Sequence, residues 1–196
     1  MMYTELRRQL DYAITFGETI RARAIADIGL ERAVEEENLG EIMYFRAQHA
    51  ILGEDFAAAI RCLDDAIRYN PHDGAAYNDR ALCRIDSGGN LMAALADFDK
   101  GIEVEPDYAT IYHNKGWYLN QLGHSEEAIT YLNKALELEP DRAVTYENLA
   151  DVYFRLGDKT AAYAAYKKSL ELLEDSYPDI RDQINAKIKT LNHETT

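Results

Sequence analysis

The sequence predicts an all-α fold, a solenoid of stacked antiparallel helix pairs, and three observations support this fold class. Apolar residues follow the three-and-four spacing of helices instead of the alternation of strands. A pattern of about 34 residues recurs along the chain, and small side chains recur at fixed places within it. A single helix pair cannot bury its apolar face, whereas stacked pairs can, so a solenoid is the expected arrangement.

The segment 109–140 contains the clearest helix pair. Gly123 is expected to end its first helix in a left-handed conformation, and Ser125 is expected to cap the second helix with its side chain. Pro140 then ends the pair, because proline cannot continue a helix. The apolar positions that define the two helices are Ile111, Tyr112, Tyr118 and Leu119 in the first, and Ala128, Ile129, Leu132, Ala135, Leu136 and Leu138 in the second.

Small residues mark the places where paired helices should cross, because two helices approach closely only where side chains are small. The extra residue in one of the spacings falls in the turn 87–90. Large residues such as Tyr112 and Leu132 keep the same register and should fill the space between the pairs. The recurring small residues are Ala47, Ala81, Gly116 and Ala150 in the first helices, and Ala59, Ala94, Ala128, Ala162, Ala66, Gly101, Ala135 and Ser169 in the second.

These columns, with the recurring prolines Pro71, Pro106 and Pro140, resemble the tetratricopeptide repeat. The resemblance covers the central two-thirds of the chain and is carried by several columns that agree in every copy. It implies a right-handed superhelix in which the first helix of each repeat lines a concave, ligand-binding groove. The four matching segments are 40–70, 74–105, 109–139 and 143–173.

The chain is expected to have three parts: an N-terminal helical pair in residues 1–36, four repeats in 37–173, and a capping helix with a tail in 174–196. In the N-terminal part, Gly17 should break the first helix and Thr19 should cap the second. That pair is either a degenerate repeat or a cap.

The spacing of apolar residues in the C-terminal part predicts an amphipathic helix that begins near Pro178. Its apolar stripe should turn inward, as a cap on the last repeat requires, and charged residues such as Lys187 should face elsewhere. The alternative is that this helix binds a partner. The stripe consists of Ile180, Ile184, Ile188 and Leu191.

Composition narrows the classes of partner and the cellular location. The net charge of −14 and the pI near 4.7 argue against binding to nucleic acid or to anionic membranes. A protein or peptide ligand should therefore be neutral or basic. Cys62 and Cys83 are expected to be reduced, packed thiols, and the polar start of the chain resembles no signal peptide. A cytoplasmic location is the corresponding prediction.

Motifs for catalysis or for metal binding are absent from the sequence. No pair of histidines or cysteines has zinc-ligand spacing, and Gly88-Gly89 is not followed by the lysine of a phosphate-binding loop. The acidic pairs Asp64-Asp65 and Asp97-x-Asp99 are typical of solvated helix faces. We therefore predict a non-catalytic protein without a metal or cofactor.

The resemblance implies which side chains would line the groove. Trp117 is the sharpest candidate for a binding hot spot, although it could instead pack against a neighbouring repeat. Asn114 and Asn148 occupy equivalent positions and could hydrogen-bond a peptide backbone, or be present only because asparagine suits the repeat. The implied groove residues are Tyr44, Phe45, Gln48, Asn78, Asp79, Leu82, His113, Asn114, Trp117, Gln121, Glu147, Asn148, Asp151, Phe154 and Arg155.

Two further expectations concern partners. Family members that bind the acidic C-terminal tail of heat-shock chaperones do so with Lys, Asn and Arg side chains at five groove positions. In this sequence, four of the five corresponding positions hold other residue types. Those places hold Tyr44, Gln48, Asp79, Thr110 and Asn114, so we do not expect that ligand. The alternative to groove binding is self-association, through an apolar face in residues 3–36 or 178–192.

Overall fold

The computed structural model describes residues 3–193, with side chains as far as Leu191, and this part of the chain contains eleven α-helices and no β-strand. The prediction of an all-α fold is therefore confirmed. The chain divides into two compact units, Met1–Pro106 and Asp107–Thr196. In each unit, every helix packs against the next helix along the chain.

Three helix pairs form the first unit. They are α1 (Tyr3–Thr15) with α2 (Thr19–Glu35), α3 (Leu39–Leu52) with α4 (Phe56–Tyr69), and α5 (Gly74–Asp86) with α6 (Leu91–Val104). The second unit contains two pairs and a final helix: α7 (Ala109–Gln121) with α8 (Ser125–Leu138), α9 (Ala143–Arg155) with α10 (Lys159–Leu172), and α11 (Pro178–His193). Odd-numbered helices up to α9 are called first helices below, and even-numbered helices are called second helices.

The small residues lie where the helices cross, as the sequence predicts. Ala59, Ala81 and Ala128 are completely buried. A Cβ atom added to Gly116 of α7 would lie 2.7 Å from Cγ of Leu132 in α8. These contacts leave no room for a larger side chain, which explains why the columns hold only alanine, glycine or serine.

Two predicted helix caps differ from the structure. The helix α8 begins at Ser125, and its N-cap residue is His124, which makes no side-chain capping bond. The Ser125 hydroxyl instead donates to Oδ1 of Asn120 at 3.0 Å. Likewise α2 begins at Thr19, after an N-cap at Glu18. Side-chain caps are made elsewhere in the chain, by Asn38, Asp55, Asp73, Asn90 and Asp158.

The turns between paired helices have the lengths that the repeat spacing predicts. Residues 87–90 form a four-residue turn, whereas the turns 122–124 and 156–158 have three residues, so the extra residue lies where the columns place it. Gly88 and Gly123 have φ values of 67° and 85° in these turns. Glycine suits this left-handed conformation because it has no Cβ.

The last helix turns its apolar stripe inward. Ile184 is 1% exposed and Leu191 is also buried, and α11 packs against α10. The guanidinium of Arg181 donates to the backbone carbonyls of Leu170 and Leu173 at 3.0 and 2.8 Å, close to the end of α10. Since cations are favoured near a helix C-terminus, this contact helps to fix α11 on the last pair.

Candidate functional site

Asp79 lies at the centre of a polar cluster on the first helices of the first unit. Nε2 of Gln48 in α3 donates to one carboxylate oxygen at 2.5 Å, and Nδ2 of Asn78 donates to the other at 2.9 Å. Tyr44 also hydrogen-bonds the carboxylate. Asp79 is half-buried, whereas Tyr44, Gln48 and Asn78 are buried. We call these four residues the Asp79 cluster, in which Asp79 is the least buried side chain.

The environment of Asp79 changes its acidity. Burial raises the pKa of its carboxyl to about 6, and the charge of Asp11 in α1 acts in the same direction, while the bonds from Asn78 and Gln48 oppose the shift. At neutral pH the group is still mostly ionised. Because two amide donors already hold it in place, it presents a fixed negative charge to cations and N–H groups.

A guanidinium beside this cluster is already neutralised. Arg7 of α1 makes paired hydrogen bonds to Asp73 at 2.8 Å and to Glu41 at 3.0 and 3.2 Å. Its guanidinium carbon lies 3.6 Å from the centre of the Tyr44 ring. This planar, bidentate arrangement connects α1, α3 and the residue that caps α5. The Arg7 charge is therefore committed within the protein and offers little to an acidic ligand.

His113 is a structural residue between α7 and α9. Nδ2 of Asn148 donates to its Nε2 at 3.2 Å, so Nδ1 carries the proton and donates to Oγ1 of Thr145 at 2.9 Å. The residue is 6% exposed, and burial lowers the pKa of its imidazole to about 3, with a contribution from Arg142. His113 is therefore neutral and hidden, although the repeat register places it on the predicted groove.

Accessible polar and aromatic side chains remain on the first helices of the second unit. Trp117 is half-buried, with its ring centre 6.2 Å from that of Tyr118. Gln121 is exposed one turn further along α7. Arg155 of α9 donates to the backbone carbonyl of Asn120 at 2.5 Å, which ties the ends of the two helices together. We call the accessible residues Asn114, Trp117, Gln121, Asn148, Phe154 and Arg155 the Trp117 face.

Two predicted groove residues are bound by the chain itself. Nζ of Lys187 in α11 lies 2.8 Å from a carboxylate oxygen of Glu147 and 2.8 Å from one of Asp151. The Tyr166 hydroxyl also donates to Asp151. The sequence predicts only that Lys187 lies off the apolar stripe of α11, and it does not predict these two partners in α9. A lysine on the flank of an apolar stripe can reach across to carboxylates because its stem is long and flexible.

The sequence-predicted site residues thus fall into three groups. Asp79, Leu82 and the Trp117 face are at least partly accessible, whereas Tyr44, Phe45, Gln48, Asn78 and His113 are buried. Glu147 and Asp151 pair with α11. Sequence reasoning did not identify Arg7, whose partners lie far away in the chain. Nor did it identify the buried ammonium of Lys115, which lies 2.7 Å from the Tyr131 hydroxyl.

Other kinds of site are not found among the described residues. No group of three or more histidine, cysteine, aspartate or glutamate residues is placed there to hold a metal ion. None of the described helices has the length and apolarity needed to span a bilayer. Cys62 and Cys83 are both free thiols, and burial raises the pKa of Cys83 to about 12. Cys83 is thus a poor nucleophile at neutral pH.

Comparison with family models gives a consistent result across most of the chain. Two models described as tetratricopeptide repeat match it, one at residues 44–103 and the other at 109–142 and 143–175. The sequence-based resemblance is therefore confirmed.

Curated relatives match shorter stretches. The Protein STIP1 homolog of Dictyostelium discoideum is 31% identical over 100 residues, which is 50% of this chain and 16% of the relative. The Protein SGT1 homolog of Homo sapiens is 37% identical over 67 residues, covering 34% of this chain and 18% of the relative. Hsp70-Hsp90 organizing protein 3 of Arabidopsis thaliana is 35% identical over 63 residues, covering 32% of this chain and 11% of the relative. The match thus spans less than a fifth of each of these relatives.

Solved structures share the fold over a longer range. A thermophilic tetratricopeptide repeat protein of Thermus thermophilus superimposes with a TM-score of 0.72 at 20% identity, covering 97% of this chain and 98% of the other. PilW, a type IV pilus biogenesis factor, superimposes with a TM-score of 0.64 at 26% identity, covering 68% and 62%. These similarities agree with an all-α solenoid of helix pairs.

Proposed function

Because the chain belongs to the tetratricopeptide repeat family, we propose that it is a non-catalytic module that binds a peptide or partner segment along its first helices. The relatives support a role in protein interaction. One of them is named Hsp70-Hsp90 organizing protein 3, and another is named a homolog of STIP1.

The fixed carboxylate of Asp79 is the observation that carries the proposal. Its two amide donors, Gln48 and Asn78, hold it in one orientation before any ligand arrives. Preorganised polar groups lower the entropy lost on binding. A fixed, partly buried anion on a protein with a net charge of −14 favours a basic or neutral peptide.

The Trp117 face is a separate accessible surface on the first helices of the second unit, and it would supply an apolar contact there. Aromatic side chains dominate binding energy where they become buried against a partner, and Trp117 is half-buried before binding. The side-chain amide of Asn148 donates one hydrogen bond to His113. This bond holds the side chain in place and so fixes the direction of its carbonyl oxygen. Such an amide can accept a hydrogen bond from a peptide N–H.

The exclusion of acidic chaperone tails is not supported by the relatives, because several of them are named Hsp70-Hsp90 organizing proteins. In the structure, Thr110, one of the five positions that correspond to the chaperone-tail clamp, is buried and accepts a hydrogen bond from Nη1 of Arg142 at 2.9 Å. A basic group therefore lies beside it, although the same nitrogen also pairs with Glu139 at 3.1 Å. An acidic peptide that ends in a free carboxylate is therefore the right competitor in any binding test.

The test is titration of the protein with basic, neutral and acidic peptides, followed by substitution of Trp117. We expect Trp117→Ala to weaken binding of the best peptide by roughly thirtyfold, the size of a typical hot spot, with little change in the thermal midpoint. Tyr163→Ala is the matched control, because Tyr163 is an exposed aromatic residue on the second helix α10. It should leave affinity unchanged.

Two results would contradict this proposal. If no peptide of any class binds at high micromolar concentration, the first helices do not form a peptide site. If Trp117→Ala and Tyr163→Ala have equal effects, the contact does not lie on the Trp117 face. Preference for the acidic peptide would keep the binding function and overturn the expected ligand charge.

The arrangement of the chain and its location remain part of the proposal. We propose that the helical pair in 1–36 and the final helix in 174–196 cap four repeats in 37–173. The inward stripe of α11 supports the second cap. The cytoplasmic location stays a prediction, and the free thiols of Cys62 and Cys83 agree with a reducing compartment.

A further inference from the structure

The second helix α2 exposes an apolar stripe to solvent. Ile20 is 88% exposed and Ile28 is 54% exposed, and the exposed Ala24 lies between them on the same side of the helix. The opposite side of α2 is buried and carries its small residues, Ala22, Ala26, Gly29 and Ala33. The stripe is therefore separate from the surface by which α2 packs against its neighbours.

This stripe distinguishes α2 from the other second helices. The buried residues Ala22, Ala59, Ala94, Ala128 and Ala162 align the five helices, and the outward positions can then be compared. Where α2 has Ile20, Ala24 and Ile28, the other helices carry polar or small residues at almost every position. Those residues are Ala57, Arg61 and Asp65 in α4; Met92, Ala96 and Lys100 in α6; Glu126, Thr130 and Lys134 in α8; and Thr160, Ala164 and Lys168 in α10.

The pattern of α2 is complementary to itself when the helix is reversed. Ile20 and Ile28 lie four residues before and after Ala24, so a two-fold axis near Ala24 brings each Ile20 close to the other copy's Ile28. The small side chain of Ala24 allows the two helices to approach closely at the axis.

The two halves of α2 carry charges of opposite sign, which favours an antiparallel pair. The half before Ala24 carries Arg21 and Arg23 against one carboxylate, Glu18. The half after it carries three carboxylates, Asp27, Glu31 and Glu35, against Arg32. In an antiparallel pair, the more basic half of each helix lies along the acidic half of the other. A parallel pair would place like charges together.

From these features we propose that the outward stripe of α2 is a dimer interface, occupied by α2 of a second copy of this chain in antiparallel orientation. The other apolar stripe that the sequence offered for self-association, on α11, is turned inward and packs within its own unit. Pairing through α2 uses only a second helix, so the first helices stay available for a peptide.

The first experiment measures the mass of the protein in solution. Analytical ultracentrifugation from low to high micromolar concentration should show a monomer–dimer equilibrium. Ile20→Glu should raise the dimer dissociation constant by about a hundredfold or more, because each dimer loses two buried isoleucine side chains. Since Ile20 is almost fully exposed in the monomer, the variant should keep its helical circular dichroism spectrum and its peptide affinity.

Met92→Glu provides the matched control. Met92 is 72% exposed and occupies on α6 the position that Ile20 occupies on α2. The change in side-chain charge is the same, so this variant should dimerise as the unaltered protein does. A loss of dimer in Met92→Glu equal to that in Ile20→Glu would mean that general surface charge controls association, and would overturn the interface.

The second experiment tests the antiparallel arrangement. In Ala24→Cys, the two introduced thiols should lie close to the two-fold axis and form an intermolecular disulfide under mild oxidation, which requires Cα atoms within about 7 Å. The unaltered protein, with its own Cys62 and Cys83, and the variant Met92→Cys should give no such product. A monomer at every concentration would overturn the proposal. A dimer that resists Ile20→Glu, or that the Ala24→Cys variant does not cross-link, would overturn the α2 pairing.

Discussion

Asp79 and His113 show how burial acts in opposite directions on an acid and a base. Burial raises the pKa of the Asp79 carboxyl to about 6 and lowers the pKa of the His113 imidazole to about 3. In both cases the neutral form is favoured, because removing a charged group from water is costly. Asp79 nevertheless stays mostly charged at neutral pH, whereas His113 is neutral there.

The Asp79 shift predicts a pH dependence of stability. Its folded pKa lies above the ordinary value of 3.8, so the folded state binds the proton more tightly and this carboxyl destabilises the fold as pH rises through about 6. Asp79→Asn removes that penalty but keeps only one acceptor oxygen for Gln48 and Asn78. We expect the variant to be about 1 kcal/mol more stable at neutral pH and no more stable near pH 4.

Urea unfolding at the two pH values measures this difference. Asp65→Asn is the control, since Asp65 lies on the solvent side of α4 and pairs with Arg68 of the same helix. Its substitution should change stability equally little at both pH values. A loss of stability in Asp79→Asn at neutral pH would mean that the hydrogen bonds to the carboxylate outweigh its desolvation.

At the scale of single side chains, the sequence predicted the helix on which a residue lies better than it predicted whether that residue is buried. Register correctly placed Asn78, His113 and Asn148 on the first helices, but it could not show that His113 is enclosed by Thr145 and Asn148. Burial depends on which side chains fill the space between neighbouring helices. That packing is decided by residues about one repeat away, which a periodic pattern alone does not weigh.

The helix crossings provide the sharpest prediction at the scale of elements. A Cβ atom on Gly116 would lie 2.7 Å from Cγ of Leu132 and 3.1 Å from the backbone oxygen of Ala128. Gly116→Ala should therefore destabilise the protein by about 1–2 kcal/mol, since overpacking exceeds the gain of about 1 kcal/mol in helix propensity.

Gly40→Ala is the matched comparison within a helix. Gly40 lies in α3, and the nearest atom to its added Cβ would be 3.6 Å away, an ordinary contact. This substitution should be neutral or stabilise by up to about 1 kcal/mol. Thermal and urea unfolding of the two variants give the comparison. Equal effects would show that α7 and α8 can separate slightly at their crossing without loss.

Element boundaries and crossings were predictable because they repeat, whereas contacts between distant elements were not. The four-residue turn 87–90 follows from a shift in the columns. The bonds of Arg7 follow from no local pattern, since Asp73 lies 66 residues away and nothing in α1 indicates this partner. The same holds for Lys187, which reaches from α11 to two carboxylates of α9. Long side chains take the partners that packing brings near them.

At the scale of the whole molecule, repetition made the fold class predictable, whereas the ligand class inferred from charge stays a prediction. Four copies of one pattern exclude most other folds, because each copy independently supports the same helix pair. A net charge of −14 acts on every approaching ligand, whatever the details of the site. The identity of the partner depends on a few accessible side chains, and their pattern is too short to specify one sequence.

The net charge leads to a prediction about binding kinetics. An acidic surface steers a basic peptide toward it, and this long-range attraction weakens as added salt shortens the screening length from about 10 Å at 0.1 M to about 3 Å at 1 M. The association rate of a basic peptide should therefore fall with salt, while the dissociation rate, set by short-range contacts, changes little. Stopped-flow measurements that follow Trp117 fluorescence give both rates.

A neutral peptide of the same length separates steering from the contacts themselves, because its association rate should hardly respond to salt. Asp79→Asn should slow association of the basic peptide only slightly, since it removes one charge of many, but should speed its dissociation by removing a fixed partner. A basic peptide whose association rate is independent of salt would contradict electrostatic steering. Faster association of an acidic peptide than of a basic one would show that a local basic group, such as Arg142 beside Thr110, outweighs the charge of the whole protein.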